Sequence, residues 1–130
     1  MTIKQVSEQY HISVDTLRYY ERVGMIPPVT RTASGIRDYN KEDLKWVELA
    51  ICMRNAGLPV EAMIEYVRLC RIGDTSIGDR LHLLEEQRTV LLEQRRQIDE
   101  TLERLNYKIS QYEIAARTGK FPECRCCHKC

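Results

Sequence analysis

Thiol and imidazole side chains are concentrated at the C-terminal end of this 130-residue chain, which contains six cysteines in all. Four of the thiols and one imidazole are found at Cys124, Cys126, Cys127, His128 and Cys130. Such soft ligands suit zinc or copper(I), although their spacing lacks the separated cysteine pairs of a structural zinc finger. The sequence therefore predicts either a metal-binding tail over residues 119–130 or a tail without fixed structure.

The other two cysteines, Cys52 and Cys70, lie in segments whose apolar residues recur at helical spacing. Cys52 shares a helix face with Lys45 and Glu48, which makes that face partly polar. Arg54 is close to it in sequence. A half-exposed thiol near basic groups can ionise and react, whereas a buried thiol is generally inert. Because free cysteine is usually buried, burial is the alternative for Cys52 and the expectation for Cys70.

Composition indicates a mainly α fold with local rather than global charge. Aromatic residues make up 7% of the chain and charged residues 30%, which favours helices packed through aliphatic side chains. The 20 basic and 19 acidic residues nearly cancel, so only a local surplus could mark a nucleic-acid binder. Residues 1–41 hold six basic and four acidic side chains, which is a small surplus of the required sign.

Several classes of protein do not fit the sequence. There is no secretory leader and no apolar run long enough to span a bilayer, so we expect a cytoplasmic protein without a membrane partner. Thiols should then start in the reduced form. No Gly-rich phosphate loop, catalytic triad or paired-carboxylate motif is present, and the sequence therefore predicts a non-enzymatic protein that requires no cofactor.

Two short helices open the chain. Thr2 and Gln5 have capping-box spacing, which predicts a first helix that runs to about residue 9. Ser13 is a suitable N-cap for a second helix, in which Leu17 faces inward. The outward face of this second helix carries polar and basic residues, namely Asp15, Thr16, Arg18, Tyr19 and Arg22. Two short helices across a tight turn form a helix-turn-helix.

A wing and two further helices complete the predicted head, residues 1–75. Ser34 and Gly35 form a turn between Arg31 and Arg37, which predicts a small hairpin with one base on each arm. Helix-start and helix-stop residues then predict a third and a fourth helix. These residues are Asn40, Gly57, Pro59 and Gly73.

A coiled-coil helix is predicted over residues 76–118. Apolar residues recur there at alternating spacings of three and four, which is the pattern of a dimerising seam. The seam positions are Ile77, Leu81, Leu84, Arg88, Leu91, Arg95, Ile98, Leu102, Leu105, Ile109, Tyr112 and Ala116. Arg88 and Arg95 interrupt the seam. They either extend their charged ends to solvent and nearby acids, or set the register of the interface.

The motifs together resemble the MerR family of transcription regulators. They are LRYYERVGMIP at 17–27, GIRDY at 35–39 and ICMRNAGL at 51–58, followed by the long helix. This resemblance implies a homodimer with an antiparallel coiled coil whose two winged heads bind double-stranded promoter DNA. It also implies that the dimer distorts a promoter with a long spacer so that RNA polymerase can engage both promoter elements.

The resemblance also implies roles for individual residues. Thr16, Arg18 and Tyr19 would enter the major groove, while Arg37 and Tyr39 on the wing would hold the DNA backbone or the adjacent minor groove.

The start of the long helix lacks the cysteine of the metal-sensing members, and Cys52 instead resembles the thiol of the aldehyde- and thiol-stress branch. The alternatives are a metal-responsive regulator or metal-handling protein that uses the tail, or a coiled-coil adaptor without a ligand.

Overall fold

The computed structural model describes residues 1–122, which form five α-helices and one short 3-10 helix, Asp74–Ser76. They are α1 (Ile3–Tyr10), α2 (Val14–Val23), α3 (Lys41–Asn55), α4 (Val60–Ile72) and α5 (Ile77–Thr118). Packing divides the chain into one unit, Met1–Arg88, and a second unit that begins at Thr89. Across the described residues there is an isolated β-bridge but no strand, so the predicted mainly α class is confirmed.

The first two helices begin where their capping residues predict. The Thr2 hydroxyl accepts the Gln5 N–H at 3.2 Å, and the Gln5 side chain accepts the Thr2 N–H at 2.8 Å. The Ser13 hydroxyl accepts the Thr16 N–H at 3.0 Å, and α2 ends at Gly24, whose φ of 87° favours glycine. The predicted helix-turn-helix is confirmed by these local contacts.

The next two helices are also defined by local chemistry. Asn40 and Asp43 form a reciprocal capping box at the start of α3, with N–H···O distances of 2.9 and 3.0 Å. Pro59 precedes α4, and Gly73 follows its last residue. Both predicted helices are therefore present.

The wing is a tight loop between α2 and α3. Arg31 and Arg37 form a single antiparallel bridge, and the Gly35 N–H donates to the Thr32 carbonyl at 2.9 Å. The predicted turn with one base on each arm is confirmed, although the two arms pair at one bridge only.

The core of the first unit lies where α1 to α4 and the wing meet. Its buried side chains are Val6, Leu17, Tyr20, Met25, Ile26, Val29, Tyr39, Val47, Ala50 and Met63. Leu17 and Tyr20 are the buried residues of α2, which leaves the opposite face of that helix in solvent. This packing therefore orients the outward face of α2 and holds the wing beside it.

Ser76 connects α4 to the start of α5. It is 2% exposed, and its hydroxyl donates to the carbonyl oxygens of Leu69 and Gly73. Arg80 donates its Nε to the Ser76 hydroxyl at 3.0 Å and its Nη2 to the Gly73 carbonyl at 2.9 Å. The first turn of α5 is thereby attached to the end of α4 through hydrogen bonds to a buried hydroxyl.

A stripe of apolar side chains on α5 is exposed to solvent. The large apolar seam residues that are exposed, each by at least 41%, are Ile77, Leu81, Leu84, Ile98, Leu102, Leu105, Ile109 and Tyr112. None of the residues of α5 is buried. Within residues 1–122, no helix is both long and apolar enough to cross a membrane.

Candidate nucleic-acid interface

The outward face of α2 presents basic and aromatic groups together. Arg22 places its guanidinium over the Tyr19 ring, 5.5 Å from the ring centroid, and Tyr19 remains 38% exposed. Arg18 lies 3.5 Å from Asp15 in a pair whose side chains are 53% and 94% exposed. Because an exposed ion pair of this kind is weak, the Arg18 guanidinium can leave Asp15 and bind an anion of another molecule.

Thr16 is less exposed than expected for the outward face of α2, and its polar groups already have hydrogen-bond partners. It is half-buried, and its hydroxyl lies 2.8 Å from the Ser13 hydroxyl. Its backbone N–H also bonds to Ser13, so both of its polar groups belong to the N-terminal cap of α2. This N-terminus carries the positive end of the helix dipole, although Asp15 offsets it.

Glu21 joins α2 to the wing. Its carboxylate accepts the Arg37 Nε–H at 2.7 Å and the Val29 N–H at 3.0 Å, and an Arg31 nitrogen lies 3.6 Å away. Burial by itself raises the pKa of Glu21, but these hydrogen bonds and positive charges outweigh it and hold the pKa below its usual value. The carboxylate is therefore ionised at neutral pH and fastens the wing to the helix.

The two wing arginines differ in freedom. Arg37 is 23% exposed and is committed to Glu21, whereas the Arg31 side chain is 43% exposed and donates to the Gly35 carbonyl at 3.1 Å. Sequence reasoning placed both arginines on the wing but assigned a DNA contact only to Arg37, and it missed Glu21. One available signal was that Glu21 follows Leu17 by four residues and so lies toward the inward stripe of α2, where an acid needs a basic partner.

The side chain of Tyr39, a predicted DNA contact of the wing, does not lie on the wing surface. It is 2% exposed, and its hydroxyl is enclosed without a hydrogen-bond partner among the described residues. Burial raises its pKa. Its ring belongs to the core, and its backbone N–H donates to the Met1 carbonyl at 2.7 Å.

The two described thiols have different surroundings. Cys52 is exposed on α3, which agrees with its partly polar helix face. Cys70 is half-buried rather than fully buried, and its sulfur lies 4.0 Å from an Arg80 nitrogen. The Cys70 side chain also contributes to the raised pKa of Tyr66, behind the larger effect of burial.

Metal ligands are not assembled in the described part of the chain. Within residues 1–122, no group of three or more histidine, cysteine or acidic side chains could hold a metal ion. The predicted ligands Cys124, Cys126, Cys127, His128 and Cys130 lie outside the described residues.

The helix-turn-helix, the wing fastened to it and the following long helix define the class of the protein, a helix-turn-helix transcription regulator. The family described as "MerR HTH family regulatory protein" matches residues 1–70. The chain belongs to the MerR family.

One relative is the HTH-type transcriptional regulator AdhR of Bacillus subtilis (strain 168), 54% identical over 93 residues. This match covers 72% of the chain and 66% of the relative. A crystal structure of a MerR family regulator from Listeria monocytogenes is 42% identical, with a TM-score of 0.85 and coverage of 90% and 91% of the two chains.

A second structure, of HiNmlR, is described as a MerR family regulator lacking the sensor domain, bound to promoter DNA. It is 32% identical, with a TM-score of 0.82, and the match covers 92% of this chain and 94% of that one. The relatives are transcription regulators, so the predictions of family and of a non-enzymatic protein are confirmed.

Proposed function

We propose that this MerR-type regulator acts as a homodimer that binds and distorts promoter DNA, and that Cys52 senses reactive aldehydes or other electrophiles. The observation that carries the proposal is the exposed basic and aromatic face of α2, joined to the wing through Glu21. A structural relative of 32% identity is bound to promoter DNA, which supports promoter DNA as the ligand of this chain.

The individual contacts follow from exposure. Arg18 and Tyr19 enter the major groove, with Thr16 at its edge through the capped N-terminus of α2. Arg31 contacts backbone phosphate directly, while Arg37 contributes through the smaller part of its side chain that stays exposed beside Glu21. Tyr39 takes no part through its side chain, because its hydroxyl is enclosed.

The dimer forms through residues 76–118. The exposed apolar stripe of α5 has the spacing of a coiled-coil seam, and a large exposed apolar surface is unfavourable in a monomer. A second copy of the same helix covers it with the same chemistry. Two heads then bind two half-sites of one promoter.

Activation works through the shape of the DNA. The dimer bends and untwists a long spacer, so that RNA polymerase reaches both promoter elements. Deformation of a site of this size costs several kcal/mol, on the order of 1–6 in elastic estimates, which is large enough to separate the inactive from the active promoter. The inducing signal must therefore favour the head geometry that fits distorted DNA.

Cys52 supplies the signal. Its exposed thiol can add to the carbonyl carbon of an aldehyde. The sulfur–carbon bond forms as the carbonyl double bond becomes single, and the proton lost by the thiol ends on the oxygen, which gives a hemithioacetal. Because Cys52 lies on α3, the adduct changes a surface of the DNA-binding unit itself.

In vitro transcription from a long-spacer promoter tests the proposal. Wild type, Cys52→Ser and the control Cys70→Ser are compared with and without methylglyoxal, and DNA binding by each is measured in parallel. We expect methylglyoxal to activate transcription with wild type and Cys70→Ser only, while all three proteins bind DNA. Activation that survives in Cys52→Ser refutes the sensor role. Activation that depends instead on added zinc or copper(I) would favour the metal-responsive alternative.

A further inference from the structure

Ile36, at the tip of the wing, is unusually exposed. Its side chain is 63% exposed, the largest fraction among the exposed large apolar residues of the described chain. Most of the others lie on α5, and eight of those occupy seam positions that the proposed dimer covers. Ile36 lies on a different element, outside that interface.

Hydrogen bonds around Thr32 hold the Ile36 backbone in place. The Thr32 N–H donates to the Ile36 carbonyl at 2.8 Å, and the Ile36 N–H donates to the Thr32 hydroxyl at 3.2 Å. The Thr32 and Ser34 hydroxyls lie 3.0 Å apart, and Gly35 turns the chain with a φ of 87°. The isoleucine is thus presented on a structured turn, so binding it would require little further ordering.

The groups beside Ile36 identify the chemistry of the partner. Arg31 and Arg37 pair at the base of the turn, and the Thr32 and Ser34 hydroxyls lie within it. A partner must therefore combine negative charge and hydrogen-bond acceptors with a narrow apolar surface. The DNA minor groove has phosphates along its edges and apolar deoxyribose carbons along its walls.

We propose that Ile36 enters the minor groove next to the major groove bound by α2, and packs against the deoxyribose walls. This inference rests on the proposed function, because it takes the wing to lie on promoter DNA. The arginines hold the groove edges by charge, whereas Ile36 contributes an apolar contact that depends on the width of the groove. The wing then reads DNA shape rather than base identity.

Equilibrium binding by the full-length protein tests this contact. The probe is a duplex selected by the wild-type protein from a random pool. Ile36→Ala should weaken binding about tenfold, as expected for partial loss of three buried carbons in each of two wings, while Ile36→Val should change it less than about threefold. The slope of log affinity against log salt should not change. Arg31→Ala should instead make that slope shallower by roughly 0.9 for each phosphate that the protein no longer neutralises.

Hydroxyl-radical footprinting locates the contact, because the radical attacks deoxyribose from the minor groove. Wild type should protect the sugars beside each α2 site, and Ile36→Ala should lose that protection with its melting temperature unchanged. The control Ile72→Ala removes an isoleucine that is 54% exposed on α4 and should leave the footprint intact.

The outcomes separate the two proposals. Equal affinity and footprint for wild type and Ile36→Ala overturn the minor-groove contact alone, and so does an equal loss in Ile72→Ala. A loss of affinity with unchanged sugar protection means that Ile36 acts on another surface, such as a protein, and also overturns it. If the wild-type protein selects no duplex, the proposed DNA-binding function fails as well.

Discussion

Glu21→Gln is the substitution that most directly tests how the wing is attached to α2. The glutamate side chain is 11% exposed and accepts hydrogen bonds from both the Arg37 side chain and the Val29 backbone. Glutamine has nearly the same shape, but its second terminal atom is a donor. Either the Arg37 Nε–H or the Val29 N–H would therefore face the glutamine N–H group instead of an oxygen.

The size of the effect follows from these contacts. One hydrogen bond to the carboxylate is lost, the other no longer has an ionised acceptor, and the half-buried Arg37 guanidinium loses its counter-charge. Hydrogen bonds to charged groups contribute roughly 1.5–3 kcal/mol each. We expect Glu21→Gln to lower the free energy of unfolding by about 2 kcal/mol at neutral pH. The loss is smaller than the sum for two such hydrogen bonds, because water still reaches part of the Arg37–Glu21 pair.

Urea unfolding at one fixed protein concentration measures this difference, because dimer formation makes stability depend on concentration. The control is Glu42→Gln, which breaks an exposed pair with Lys45 at 3.2 Å whose side chains are 75% and 72% exposed. That variant should change stability by less than about 0.5 kcal/mol.

The difference between wild type and Glu21→Gln should also depend on pH in one direction. Because the pKa of Glu21 in the folded state lies below its unfolded value of 4.5, the stabilisation is fully present above that pH. It declines as the pH falls through the lower folded pKa. A variant within about 0.5 kcal/mol of wild type at pH 7, or a gap that widens in acid, would refute the proposed attachment.

Three other predictions concern the core, a surface pair and the seam. Tyr39→Phe should stabilise the protein by about 1 kcal/mol in urea unfolding, because it removes an enclosed hydroxyl with no hydrogen-bond partner among the described residues; a comparable loss would mean that the hydroxyl has one. The hydrogen bond to Glu48, aided by burial, raises the pKa of Tyr10 to about 12, so ultraviolet titration of Glu48→Gln should return this pKa toward 10. In wild type the hydrogen bond between Tyr10 and Glu48 contributes fully to stability below pH 10, and that contribution is lost as the pH rises toward about 12. An unchanged Tyr10 titration in Glu48→Gln would exclude the contact. Leu105→Lys should convert dimers to monomers in sedimentation equilibrium, whereas Glu103→Lys, off the seam, should not.

Much of the fold could be predicted because its signals are local. The caps at Ser13 and Asn40 involve residues three positions away, and Gly24 ends α2 through its own backbone conformation. The heptad spacing of α5 needs only the sequence of that helix. The exposure of Cys52 was one of two alternatives that its neighbours in sequence left open.

The composition and order of the residues thus determined the helices, the position of the wing and the family, since each depends on contacts within a few residues or on a motif. Only the tertiary structure decided that Glu21 accepts Arg37, which is 16 residues away, and that Tyr39 packs inside instead of on the wing. Burial and ion pairing are properties of segments that meet in space. The residues that arrange the candidate interface were therefore harder to predict than those exposed on it.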